Sequence, residues 1–152
     1  MRTLDVDCID QLVDRNEETM KKLLFLKVWS IGMGAMDALT GLLLILAPKQ
    51  VLGLLKIAPP SPDALVFLSW IGVFVMAVGL SYGMALGKRR SRSETVWAFT
   101  ALVRMMVAVF LTIKITGGTL PSAWAMVAVS DGMVALVQVV ILRKGWWREE
   151  PQ

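Results

Sequence analysis

The chain has 152 residues, 56% of them hydrophobic, with a mean hydropathy of +0.63. Soluble domains run at about 45–50% apolar, so the excess points to a lipid solvent, and the length allows one domain. The net charge is +4, histidine is absent and Cys8 is the lone cysteine, which excludes bis-histidine haem, the usual zinc and copper sites, histidine general bases and an intrachain disulfide.

Residues 1–22 are predicted to form a cytoplasmic amphipathic helix. Leu4, Cys8, Ile9, Leu12, Val13 and Met20 recur at helical spacing, and Asp5, Asp7, Asp10, Asp14, Glu17 and Glu18 make the opposite face acidic. The segment lacks the basic start, short apolar run and small-residue cleavage site of a secretory signal. An acidic face disfavours the anionic leaflet. Residues 4–20 are therefore expected to meet a protein partner or the chain's own basic loop at 88–92; a solvated extension of the first span is the other reading.

Four segments have the roughly 20 apolar residues that a spanning helix needs: 23–47, 63–87, 94–116 and 121–142. The first ends at Pro48 and the third at Gly117-Gly118, and Pro121 is placed in the first turn of the fourth. The apolar stretch 49–57 is too short to span and is expected in the far interface or as a cap on the bundle. The predicted fold is all-α, a polytopic four-helix membrane bundle over 23–144 with a cytoplasmic tail at 145–152.

Basic residues set the orientation. Twelve fall on one side: Arg2, Arg15, Lys21, Lys22 and Lys27, then Lys88, Arg89, Arg90 and Arg92, then Arg143, Lys144 and Arg148. Only Lys49, Lys56 and Lys114 fall on the other. Both termini are predicted to be cytoplasmic, in a bacterial-type inner membrane. The positive charge serves topology and headgroups, so no nucleic-acid partner is expected. Trp97, Trp146 and Trp147 read as anchors at the cytoplasmic interface, Trp70 and Trp124 at the opposite one, with Trp29 and Tyr82 a turn or two deeper.

Asp37, Arg104 and Asp131 fall near the centres of the first, third and fourth spans. Each charge there costs about 2.5–3.5 kcal/mol, so the three are expected to face inward and meet, the guanidinium forking to one carboxylate or bridging two. Two acids against one base leave an unequal triad, in which one aspartate is expected to hold a proton. Gln138 follows Asp131 by two turns on the same face and, with Ser130, would extend a polar track. The triad reads either as a ligand or proton site or as polar glue between helices. Gly79 and Gly83 form a small-xxx-small step for close helix packing. An aspartate recurs mid-span at Asp37 and Asp131, some residues after a tryptophan, as two inverted two-helix halves would place it. The span methionines read as apolar filler rather than a copper site.

The plan resembles the DoxX-like group of small bacterial four-helix membrane proteins, through the stretch 41–48 that ends the first span, the stretch 70–82 in the second and Asp131 in the fourth. The resemblance implies a link to quinone or thiol redox systems, and the lone cysteine argues against the thiol version. The expected function is a non-enzymatic membrane component that binds a lipid-soluble molecule, a quinone among the candidates, or serves as an accessory subunit. A proton-coupled transporter using Asp37 or Asp131, working as a homo-oligomer, is the alternative. A membrane enzyme is disfavoured, since no nucleophile, metal set or cofactor motif joins the carboxylates.

Overall fold

A computed structural model describes residues 3–87 and 90–147. The chain folds as α1 (Thr3–Leu46), α2 (Pro48–Leu54), α3 (Pro62–Ala85), α4 (Arg90–Thr116), a 3-10 turn (Ser122–Trp124) and α5 (Ala125–Arg143). Four of these helices are long and apolar enough to cross a membrane, so the chain is a multi-pass membrane protein. Large apolar residues are exposed along every span, among them Leu39, Phe74, Phe110 and Leu136. Lipid takes the place of a buried core for such side chains.

The helix boundaries follow local chemistry. Ser61 caps α3 by accepting from the Ala64 amide at 3.4 Å, with Pro62 in the first turn. Gly118, at φ +71, ends α4. Three details differ from the sequence reading. α1 is continuous over 44 residues through the boundary expected at 22, as the alternative reading of a helical extension has it, because no breaker stands between the acidic segment and the span; Glu17–Lys21 and Glu18–Lys22 pairs at 2.8 and 3.0 Å bridge successive turns there. At ~1.5 Å per residue α1 is about 66 Å long, twice the hydrocarbon thickness of a bilayer. α4 starts at Arg90 rather than 94. Pro121 precedes the 3-10 turn as its cap instead of lying in the first turn of α5. The expected docking of the acidic face on 88–92 involves Lys88 and Arg89, which lie outside the described residues.

The spans form two antiparallel hairpins, α1 with α3 and α4 with α5. The first is closed by backbone contact. A Cβ on Gly41 would lie 2.4 Å from the Met76 nitrogen, and one on Gly79 would lie 2.3 Å from the Ala38 nitrogen. Gly34 and Gly72 are tight at 2.9 and 2.8 Å. The facing pairs are thus Gly34 with Gly79 and Gly41 with Gly72, each seven residues apart along its own helix. Gly83 faces open space, so the step from Gly79 to Gly83 is not the packing motif; only Gly79 belongs to it.

Near the face that carries the N-terminus, Leu26, Tyr82, Ala85, Val96, Trp97, Ile141 and Trp147 form an apolar cluster. Trp97 is 0% exposed and packs edge-on to Trp147 at 5.4 Å. Both were expected as headgroup anchors. Depth along a span does not set direction: the place of Trp97 on the buried face of α4, and the turn after α5 that carries Trp147, aim both rings inward. Trp70, exposed and stacked edge-on to Phe74, keeps a lipid-facing position.

Candidate functional site

The interior face of α1 advances by threes and fours through Leu26, Ser30, Gly34, Asp37, Gly41 and Leu44, all buried. Asp37 therefore sits between the two glycine contacts that fix α1 against α3. On α4 the same periodicity buries Trp97, Thr100, Ala101, Arg104, Ala108 and Leu111. On α5 it buries Ala128, Ala135 and Gln138, with Asp131 between them at partial burial.

Three helices bring the charges together. Arg104 donates from Nη2 to Asp37 Oδ2 and from Nη1 to Asp131 Oδ1, both at 2.5 Å. The side chains of Asp37 and Arg104 are 10% and 6% exposed, and that of Asp131 is 17% exposed. The guanidinium thus bridges the two carboxylates rather than forking to one, and it spends its two terminal nitrogens doing so. Its Nε is buried with no acceptor among the described residues.

A neutral polar layer lies one to three turns nearer the N-terminal face. Gln138 Nε2 donates to the Tyr82 hydroxyl at 2.8 Å and to Thr100 Oγ1 at 3.1 Å. Thr100 donates to the Trp97 carbonyl at 3.2 Å, and Trp97 Nε1 donates to Ser30 Oγ at 2.9 Å. Ser93 donates to the Ala85 carbonyl at 2.7 Å. Gln138 Oε1 is buried without a donor among the described residues. Ser130, named with Gln138 as an extension of the site, instead faces outward and donates to the Val127 carbonyl of its own helix. Tyr82 was read from sequence as an interfacial aromatic, and neither it nor Thr100 was assigned to the site. The available signal was spacing: Thr100 lies one turn before Arg104 on the same face, and Tyr82 lies one turn after the packed Gly79.

The buried polar groups of the membrane bundle are one-sided. Ser30, Ser93, Thr100 and Gln138 all lie between the triad and the N-terminal face, together with Tyr82. Towards the opposite, loop face, the buried positions are Gly41, Leu44, Leu52, Leu65, Gly72, Ala108, Leu111 and Ala128. On that side an open groove of about 360 Å³ runs between α4 and α5, lined by Ala108, Thr112, Ile113, Ala128, Val129 and Gly132, the last of which follows Asp131 in sequence. No group of three or more metal-ligating side chains occurs among the described residues.

Comparison with known protein families, with curated proteins and with solved structures finds no match to this chain.

Proposed function

We propose that this chain is a small non-enzymatic membrane protein that binds a lipid-soluble molecule at the open edge of the Asp37–Arg104–Asp131 triad. One observation carries the reading. Asp131 gives a single oxygen to Arg104, keeps 17% of its side chain accessible, and lies next to the Gly132 end of the groove between α4 and α5. In this reading a lipid-dissolved ligand seated in the groove meets the accessible part of the Asp131 carboxyl without passing through water. A triad with two acids and one base is balanced in a dry site by one added proton. A protonated Asp131 would donate a hydrogen bond and an ionised one would accept it. A quinone–quinol pair needs that exchange, since its oxygens are acceptors when oxidised and donors when reduced. The four-helix plan of the DoxX-like group fits the same reading, as does a role as accessory subunit in which a larger complex shares the ligand.

The test is purification in mild detergent followed by mass analysis of bound small molecules. A quinone-class lipid retained by the wild type and lost from Asp131→Asn is the expected result. An empty protein that also fails to bind an added short-chain quinone would overturn the reading.

The one-sided polar layer favours a second reading, a proton-coupled transporter in which Gln138, Tyr82, Thr100 and Ser30 lead from the triad towards one membrane face. It requires proton release on ligand addition that Asp37→Asn or Asp131→Asn abolishes.

A further inference from the structure

Beside the triad, two buried polar atoms have no partner among the described residues, and they are complementary. Arg104 Nε carries a hydrogen to donate, and Gln138 Oε1 accepts one. The two residues are 5% and 0% exposed. Buried polar atoms are nearly always hydrogen-bonded, to water where the protein offers no partner.

The contacts of their neighbours bring both atoms to one place. The other end of the Gln138 amide, Nε2, reaches the Tyr82 hydroxyl at 2.8 Å and Thr100 Oγ1 at 3.1 Å. Thr100 precedes Arg104 by one turn of α4, and a helical side chain leans over the turn before its own. The Arg104 stem therefore leans into the layer that holds the Gln138 amide. Tyr82 meets both residues: its hydroxyl accepts from Gln138 and interacts with the Arg104 guanidinium. Since the Tyr82 oxygen already accepts, its own proton is available to donate. Rotating the Gln138 amide by half a turn does not balance the site. It would aim Oε1 at Tyr82 and Thr100 and leave the two Nε2 hydrogens open beside the Arg104 donor.

Two donors and one acceptor around one point call for a neutral oxygen that accepts twice and donates at least once. An anion would oppose Gln138 Oε1, and a metal cation would oppose Arg104. Size is limited as well. Leu26, Trp97 and Ile141 pack together towards the N-terminal face, and the triad closes the other side. We propose that one buried water binds here, accepting from Arg104 Nε and the Tyr82 hydroxyl and donating to Gln138 Oε1. The site lies across the triad from the groove between α4 and α5, and it does not depend on a ligand there. The water holds the guanidinium at its stem while the two carboxylates hold its ends. It also forms the polar link between the charged triad and the neutral layer. A change of charge at Asp131 that turns Arg104 is thereby passed to Gln138 and Tyr82.

The experiment is proton-detected solid-state NMR of the full chain, labelled with ¹⁵N and ¹³C, in deuterated phosphatidylcholine bilayers. Arg104 is the one buried arginine among the described residues, so its Nε–H should outlast the others on transfer to heavy water. Arg104→Lys should remove that signal and so assign it. In ordinary water, the Nε–H should show a through-space cross-peak to a water proton that exchanges slowly with bulk. Gln138→Met should abolish the cross-peak, and Tyr82→Phe, which keeps the ring, should weaken it. Contacts between the Arg104 Nη hydrogens and the carboxylate carbons should persist in both variants, which separates loss of the water from loss of the fold. A wild type with no water cross-peak would overturn the proposal, as would direct contact of Nε–H with the Gln138 amide carbonyl. A cross-peak unchanged in Gln138→Met would also overturn it, placing the water elsewhere.

Discussion

An arginine at mid-span costs about 2.5–3.5 kcal/mol to place there, and Arg104 offsets that cost with two charge-assisted bonds to carboxylates on two other helices. The triad should therefore respond unequally to loss of its members. Asp131→Asn leaves Arg104 facing Asp37 as a neutral pair, and a cost of about 1 kcal/mol is expected, in line with single interhelical contacts in membranes. Arg104→Met strands two buried carboxyls side by side and should cost about 3–5 kcal/mol, the range for breaking a buried pair. Unfolding in mixed micelles of dodecyl sulfate measures both, and equal losses would show that Arg104 is not the shared partner. Lys56, at φ +56 just after α2, offers the opposite sign. A non-glycine residue in the left-handed region costs about 1–2 kcal/mol, partly offset by the entropy that glycine loses on folding, so Lys56→Gly should stabilise by up to about 1 kcal/mol in the same assay. These residues were not equally legible. The charges stood out because any ion inside a 20-residue apolar run is conspicuous. Trp97 was misplaced because hydropathy gives depth along a span and says nothing of the direction in which a ring points. Lys56 left no trace, since a positive φ arises from how α2 ends and lysine does not announce it.

At the level of helices, the first hairpin is held where backbones touch. Gly41 and Gly79 each leave less than 2.5 Å for a Cβ against main-chain atoms of the facing helix, and main chain cannot move aside as a side-chain tip can. Gly41→Ala and Gly79→Ala should force α1 and α3 apart. Overpacking of this kind costs about 1–3 kcal/mol or more, with Asp37 carried away from Arg104. Gly32 and Gly83 meet nothing within 4 Å. Alanine at either should be neutral or stabilising by about 0.5–1 kcal/mol through helix propensity. The four variants compared by thermal unfolding in detergent decide the point; similar losses at Gly79 and Gly83 would restore the four-residue step as the packing unit. Apart from the start of the first, which merges into the acidic segment of α1, the span ends could be read to within a few residues because length and hydropathy are properties of one segment. The glycine pairing could not, because it depends on which face of α1 meets which face of α3. Spacing by four and by seven both keep a face, and only the partner helix selects between them.

For the whole molecule, the two hairpins meet through hydrogen bonds that, among the described residues, run from the triad towards the N-terminal face. Trp97 reaches Ser30, Arg104 reaches Asp37, Gln138 reaches Tyr82 and Ser93 reaches the Ala85 carbonyl. Each joins a residue of α1 or α3 to one of α4 or α5. Beyond the triad, towards the loop face, buried contacts are apolar, and a cavity opens there between the hairpins. Lipid competes with apolar contacts on nearly equal terms, whereas it offers no partner to a hydrogen-bonding group. Affinity between the hairpins should therefore reside mainly in the polar half. If so, the chain can be cut in the connection at 86–90 and co-expressed as two hairpins, and a tag on one should recover the other from membranes. Arg104→Met combined with Gln138→Leu should abolish recovery while leaving each hairpin inserted. Leu111→Ala with Ala128→Gly, which thins only the apolar half, should leave recovery close to that of the unmutated halves. Recovery lost equally in both cases would mean that apolar fit, and not the buried polar layers, joins the halves, and the triad would then be free to open and close without releasing them.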